Sequence, residues 1–134
     1  MVLGGKAASA VVERSIDVLI VDDDRVFLES IDELLRKHGF VVLGVGSAED
    51  AVVALRQGRR PKLILLDFIL PSMSSRNFLT VLKLDVALAL IPVVLVTAAS
   101  IGEVPGDLPV DGVLLKPIDS DELLSLVRQH CRHA

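Results

Sequence analysis

At 134 residues the chain is most simply one domain, long enough to bury a core of its own. It is 51% hydrophobic and 24% charged, which excludes a disordered or fibrous polypeptide; with no Trp, no Tyr and only four Phe, the core must be built from Leu, Val, Ile and Ala. A net charge of -4 leaves no electrostatic footprint for nucleic acid, and a single cysteine, Cys131, excludes an internal disulfide and suits a reducing cytoplasm.

Residues 1–15 show no clear periodicity and read as a loose leader. Ala8-Ser9-Ala10 looks like a signal cleavage site, but Gly4, Gly5 and Lys6 interrupt any apolar run before it, so a signal peptide is rejected. Ile16 to Val21 is an apolar strand running into Asp22, Asp23 and Asp24. From Arg25 to His38, Val26, Phe27, Ile31, Leu34 and Leu35 follow helical spacing, and Gly39 closes that helix. Phe40 to Val45 is a second, β-branched strand. Ser47 with Asp50 opens a second helix carrying Ala51, Val52, Ala54 and Leu55 and ending near Gly58. Arg59, Arg60 and Lys62, the one basic cluster, read as a solvated loop.

Lys62 to Leu66 then runs apolar on both faces, as a buried strand of a parallel sheet does, and ends in Asp67. A third helix is predicted over Ser75 to Leu84, with Phe78, Leu79, Leu82 and Val86 inward. Ile91 to Thr97 is a fourth strand, with Pro92 near its start. The apolar run from Val86 to Val96 is too short to span a membrane and is broken by that proline. Gly102, Pro105, Gly106 and Pro109 punctuate the stretch from Ala98 to Asp111 too densely for a long helix. Gly112 to Leu115 is a fifth strand, and Asp119 and Glu122 cap a last helix with Leu123, Leu124 and Val127 inward. His130, Cys131 and His133 lie in its last turns without a second ligand cluster, so they read as helix-end residues rather than a metal site.

Five alternations of strand and helix predict a doubly wound parallel α/β sheet with helices on both faces. In such a sheet the C-terminal strand ends share one edge, which would gather Asp22, Asp23, Asp67, Thr97 and Lys116. Clustered carboxylates repel unless a cation compensates, and a hard divalent ion with oxygen ligands is the natural compensation. Thr97 offers a hydroxyl and Lys116 a mobile charge, both suited to phosphoryl oxygens. The set reads as a site for Mg²⁺ and a phosphoryl group, with one carboxylate as nucleophile.

Four pieces in order resemble the receiver domain of two-component response regulators: Val18-Leu19-Ile20-Val21-Asp22-Asp23-Asp24, Leu65-Leu66-Asp67-Phe68-Ile69-Leu70-Pro71, Val94-Leu95-Val96-Thr97-Ala98 and Leu115-Lys116-Pro117. The resemblance implies a flavodoxin-like, three-layer α/β/α domain over residues 16–134, with a short or irregular fourth helix. It implies that Asp67 accepts a phosphoryl group from a histidine kinase or phosphotransfer protein. Asp22, Asp23, Asp67 and the Ile69 backbone carbonyl would hold Mg²⁺ (or Mn²⁺), and Thr97 and Lys116 would contact the phosphoryl oxygens. The only chemistry implied is phosphorylation and dephosphorylation of Asp67 itself. The setting implied is cytoplasmic, with an unspecified downstream protein partner, no nucleic acid, no membrane, and a phosphorylation-dependent dimer left open.

Three positions depart from the family pattern. Val113 stands where an aromatic residue usually relays the switch, the Thr97 to Lys116 stretch is short and rich in Pro and Gly, and Ser74-Ser75 replace a usual Asp-Gly. Ile69 and Ala99 are apolar, so few groups would orient an attacking water and the phosphoryl-aspartate should be long-lived. No output domain follows the last predicted helix, so action through a partner and membership of a longer protein both stay open. Two alternatives stand beside this reading: a receiver-fold interaction module that does not switch, and a haloacid-dehalogenase-type phosphatase using Asp22 and Asp24.

Overall fold

The computed structural model describes residues 15–131; the predicted leader up to residue 14, and His133, lie outside them. Five strands form one parallel sheet in the order β2-β1-β3-β4-β5. They are β1 (Ser15–Val21), β2 (Val42–Val45), β3 (Arg60–Leu66), β4 (Val93–Thr97) and β5 (Gly112–Leu115). Among the described residues there are four α-helices: α1 (Arg25–Lys37), α2 (Ala48–Arg56) and α3 (Ser75–Lys83) connect successive strands, and α4 (Ser120–His130) follows β5. Between β4 and β5 there is only a 3₁₀ turn, Ile101–Glu103, as the Pro and Gly spacing predicts.

Strand alternation sorts the core into two layers. Leu19, Val21, Ile64, Leu66 and Leu95 face α2 and α3, where Leu55, Phe78, Leu79 and Leu82 meet them. Val18, Ile20, Leu63, Leu65, Val94 and Val96 face α1 and α4, against Ile31, Leu35, Leu123 and Val127. Burial on both faces explains why these strands read as continuous apolar runs. The helices start where their caps dictate: Asp24, Ser47, Ser74 and Asp119 each accept a backbone N–H three residues on, from Phe27, Asp50, Asn77 and Glu122. Gly39 ends α1 with φ +89°, a left-handed turn that costs glycine nothing.

Several expectations are corrected. Val26 is 73% exposed, because it lies off the stripe set by Phe27, Ile31, Leu34 and Leu35. Val86 is 88% exposed: α3 ends at Lys83, helical spacing no longer applies beyond it, and Leu88 enters the core instead. Asp85 sets that turn, its carboxylate accepting the N–H groups of Ala87 and Leu88. The second and fourth strands begin at Val42 and Val93, two residues later than predicted. Arg60 and Lys62 belong to β3 rather than to a loop, although both side chains are exposed.

Two acids that carry no signal in the sequence hold the opposite edge of the sheet. Asp17 in β1 accepts the Val41 N–H at 2.8 Å and pairs with Lys62 at 3.3 Å. Asp111 accepts the Val93 N–H at 2.8 Å. Cys131, ending α4, donates its thiol to the Asp17 carbonyl at 3.5 Å. Burial, reinforced by the Asp17 carboxylate and only partly countered by Lys62, pushes this thiol from 9.0 up to about 11. The native state therefore keeps a proton that the unfolded chain releases first, and stability falls as pH rises from about 9 to about 11. The loss attributable to Cys131 is at most about 2–3 kcal/mol. Denaturant unfolding of the wild type and Cys131→Ala across that range checks this: the extra alkaline slope should be present in the first and absent in the second.

Candidate functional site

β1 and β3 are adjacent while the chain leaves them toward opposite edges of the sheet, so the gap beyond their C-terminal ends is a topological switch point. The backbone positions the acids there as extensions of the ladder: the Asp22 N–H donates to Val45 O at 3.1 Å and the Asp67 N–H to Val21 O at 3.0 Å. Asp22 and Asp67 are buried and Asp23 is exposed. One carboxylate oxygen from each of the three lies within 4.8 Å of the others.

Lys116, one residue beyond β5, answers this charge. Its backbone N–H donates to Thr97 O at 2.9 Å. Its Nζ lies 2.6 Å from Asp22 Oδ2 and 3.7 Å from Asp67 Oδ2. The Lys116–Pro117 peptide bond is cis. The other oxygen of Asp22 accepts the Asp24 N–H at 2.8 Å, and Asp67 Oδ1 accepts the Ile69 N–H at 3.1 Å. Burial raises the Asp22 carboxyl above its ordinary range, the nearby Asp67 charge adds to this, and the hydrogen bonds from Lys116 and Asp24 pull the other way. Three carboxylates against one ammonium leave the cluster with excess negative charge.

Thr97 ends β4 fully buried, its Oγ1 accepting the Ala99 N–H at 3.2 Å. All five predicted side chains, with Ile69 and Ala98, line a single cleft of about 400 Å³. Asp24 also borders it, and its carboxylate accepts the Phe27 N–H at the start of α1. Ser75, a departure from the family pattern, is buried and donates its hydroxyl to Phe68 O at 3.0 Å, bracing the loop that leads away from Asp67. Val113 lies away from this cleft. It packs against the core under α2 and α3 and lines a separate hollow of about 350 Å³ with Val104, Leu108 and Val110.

One member of the site has no counterpart in the sequence reading. Phe27, in the first turn of α1, places its ring centroid 4.1 Å from Lys116 Nζ. Helical periodicity assigns Phe27 to the core, and no local signal ties it to a lysine 89 positions later in the chain.

Known proteins resemble the chain along most of its length. Residues 18–128 match the response regulator receiver domain. The chain is 34% identical over 118 residues to the DNA-binding response regulator MtrA of Mycobacterium tuberculosis, an alignment covering 86% of this chain and 50% of MtrA. It thus spans about half the length of that relative. Among solved structures, a response regulator receiver protein from Pseudomonas putida is 28% identical, with a TM-score of 0.77 over 86% of this chain and 98% of the other. The receiver domain of a sensor histidine kinase from Pseudomonas aeruginosa, which holds a magnesium ion coordinated in its active site cleft, shares the fold at 22% identity and a TM-score of 0.76, covering 89% of this chain and 99% of that one. Receiver domains bind Mg²⁺ at an acidic pocket, and the three clustered carboxylates here are hard oxygen donors of the kind that ion takes. With its sheet order, its acidic cleft and this match over residues 18–128, the chain belongs to the response regulator receiver domain family.

Proposed function

We propose that residues 16–134 form the phosphoryl-accepting unit of a cytoplasmic two-component pathway, with Asp67 as acceptor and a histidine kinase or phosphotransfer protein as donor. The observation that carries this reading is the convergence of three carboxylates and one ammonium on a single cleft at the switch point. Family membership supports the donor, since response regulators receive their phosphoryl groups from histidine kinases.

Asp22, Asp23, Asp67 and the Ile69 carbonyl would hold Mg²⁺ or Mn²⁺. When bound, the ion neutralises charge and orients phosphoryl oxygens. The remaining work falls to the chain. An Asp67 carboxylate oxygen forms the new bond to phosphorus in line as the bond to the donor imidazole nitrogen breaks, and that electron pair leaves with the imidazole. Lys116 compensates the charge on the transferred oxygens. The Ala99 N–H occupies the acceptor side of Thr97 Oγ1, so the Thr97 hydroxyl proton remains to be donated to a phosphoryl oxygen. The product adds negative charge beside a cluster already rich in it, and that is the force available to shift the surrounding surface.

Incubation with acetyl phosphate and Mg²⁺ should add one phosphoryl mass to the intact protein, absent in Asp67→Asn; an adduct persisting in that variant would sink the assignment. Because Ile69 and Ala98 line the cleft, the adduct should outlast removal of the donor, and Ile69→Asn, which can hold a water, should shorten its life several-fold.

Asp23→Asn relieves like-charge repulsion without touching the core. It should raise the melting temperature without divalent ion and abolish most of the rise that Mg²⁺ produces. In the wild type that rise is worth about 2.7 kcal/mol at roughly 100 times the Kd.

Val113 and the single 3₁₀ turn between β4 and β5 favour a second reading for the output, an interaction module whose surface does not switch. Beryllofluoride with Mg²⁺ separates the two. Amide shifts spreading through residues 98–111 support switching, and shifts confined to the cleft support the static module.

A further inference from the structure

We infer that Phe27 is the positioning residue for Lys116, holding the ammonium over the acceptor with an aromatic face instead of a third acid. This deepens the phosphoryl-acceptor reading and rests on it. A lysine ends in a compact charge on a flexible four-carbon stem, so its aim depends on what surrounds the nitrogen. Around Lys116 Nζ stand Asp22 at 2.6 Å, Asp67 at 3.7 Å and the Phe27 ring centroid at 4.1 Å. Both acids have other tasks in the proposed site: Asp67 is the acceptor and Asp22 a metal donor. An ammonium tied only to Asp22 would compete for that donor. The ring holds a cation through its quadrupole without consuming a ligand oxygen or adding charge to the cluster.

The ring is itself fixed. Asp24 caps α1 by accepting the Phe27 N–H at 3.2 Å, and the partly buried side chain packs on the core between α1 and the sheet. The cap next to the acidic pair therefore also positions the ring that faces the Lys116 ammonium. Of the other phenylalanines, Phe40 and Phe78 are buried in the core and Phe68 packs on the opposite layer. Phe27 thus packs on the core and also brings an aromatic face to the ammonium.

Phe27→Leu keeps an apolar side chain and removes the quadrupole, whereas Phe27→Tyr keeps the ring. With saturating Mg²⁺ and acetyl phosphate, the leucine variant should load Asp67 roughly two- to fivefold more slowly and the tyrosine variant at close to the wild-type rate. Without any phosphoryl donor, the Lys116 Hε protons should show an upfield ring-current shift that is lost in Phe27→Leu and kept in Phe27→Tyr. Melting temperatures of Phe27→Leu, Lys116→Met and the double variant should be non-additive, as for groups in contact. A wild-type loading rate in Phe27→Leu, additive melting temperatures, or a Lys116 resonance without ring-current shift would each overturn the inference. If Phe27→Leu does not fold, the wild-type and Phe27→Tyr spectra still decide it. A wild type that takes up no phosphoryl overturns the reading of Asp67 instead, so the two failures are distinct.

Discussion

The contact on which the site depends is the 2.6 Å ion pair between Lys116 and buried Asp22. Three carboxylates within 4.8 Å repel one another by an amount on the order of 3 kcal/mol per pair at an effective dielectric near 20, less where exposed Asp23 is involved. Fully burying one leucine contributes about 1.5–3 kcal/mol. The strands that carry the acids bury Leu19, Leu63, Leu65 and Leu66 almost completely. One or two such residues offset each repulsion, so the double-layered core can hold an electrostatically unfavourable edge in place. Lys116 removes part of the excess, and under the proposed function a divalent ion would take up the rest.

The same logic explains why the acids are legible in the sequence. A strand buried on both faces must be apolar throughout, so a charge at its end stands out, and Asp22, Asp23 and Asp67 punctuate the runs that finish at Val21 and Leu66. Thr97 and Lys116 emerge from the alternation of elements, since parallel strands bring their C-terminal ends to one edge. Caps are equally visible because each acts three residues away.

Contacts across the sheet are not visible in this way. Asp17 and Asp111 read as ordinary acids near strand starts, yet each accepts a backbone N–H from a neighbouring strand entry, which no local pattern encodes. Phe27 matches a helical stripe and so belongs to the core, which is half of its role. Val26 and Val86 mislead for the complementary reason. Periodicity extends to a residue off the stripe in one case and past the end of the helix in the other.

Under the proposed function, acceptor and output would separate physically in this chain. Thr97 and Lys116 are joined through the β4–β5 ladder by the Lys116 N–H to Thr97 O bond, so a group touching either side chain pulls on the same pair of strands. Val113 lies in that ladder opposite Leu95, but a β-branched side chain is stiff at χ1 and too short to swing between core and surface as a ring does. The segment between β4 and β5 is instead held at discrete points: Arg76 to Asp107 by two contacts of 2.9 and 3.3 Å, Asp111 to the start of β4, and Leu108 in the core. Arg76 belongs to the first turn of α3, and buried Ser75 beside it holds the loop that leaves Asp67. The stretch of chain from Asp67 to Arg76, completed by the Arg76–Asp107 ion pair, therefore joins the Asp67 loop to the 98–111 segment through α3, without passing through position 113. Displacement of the Asp67 loop would act first on the exposed Arg76–Asp107 pair, an interaction weak enough in water to be exchanged for solvent at small cost.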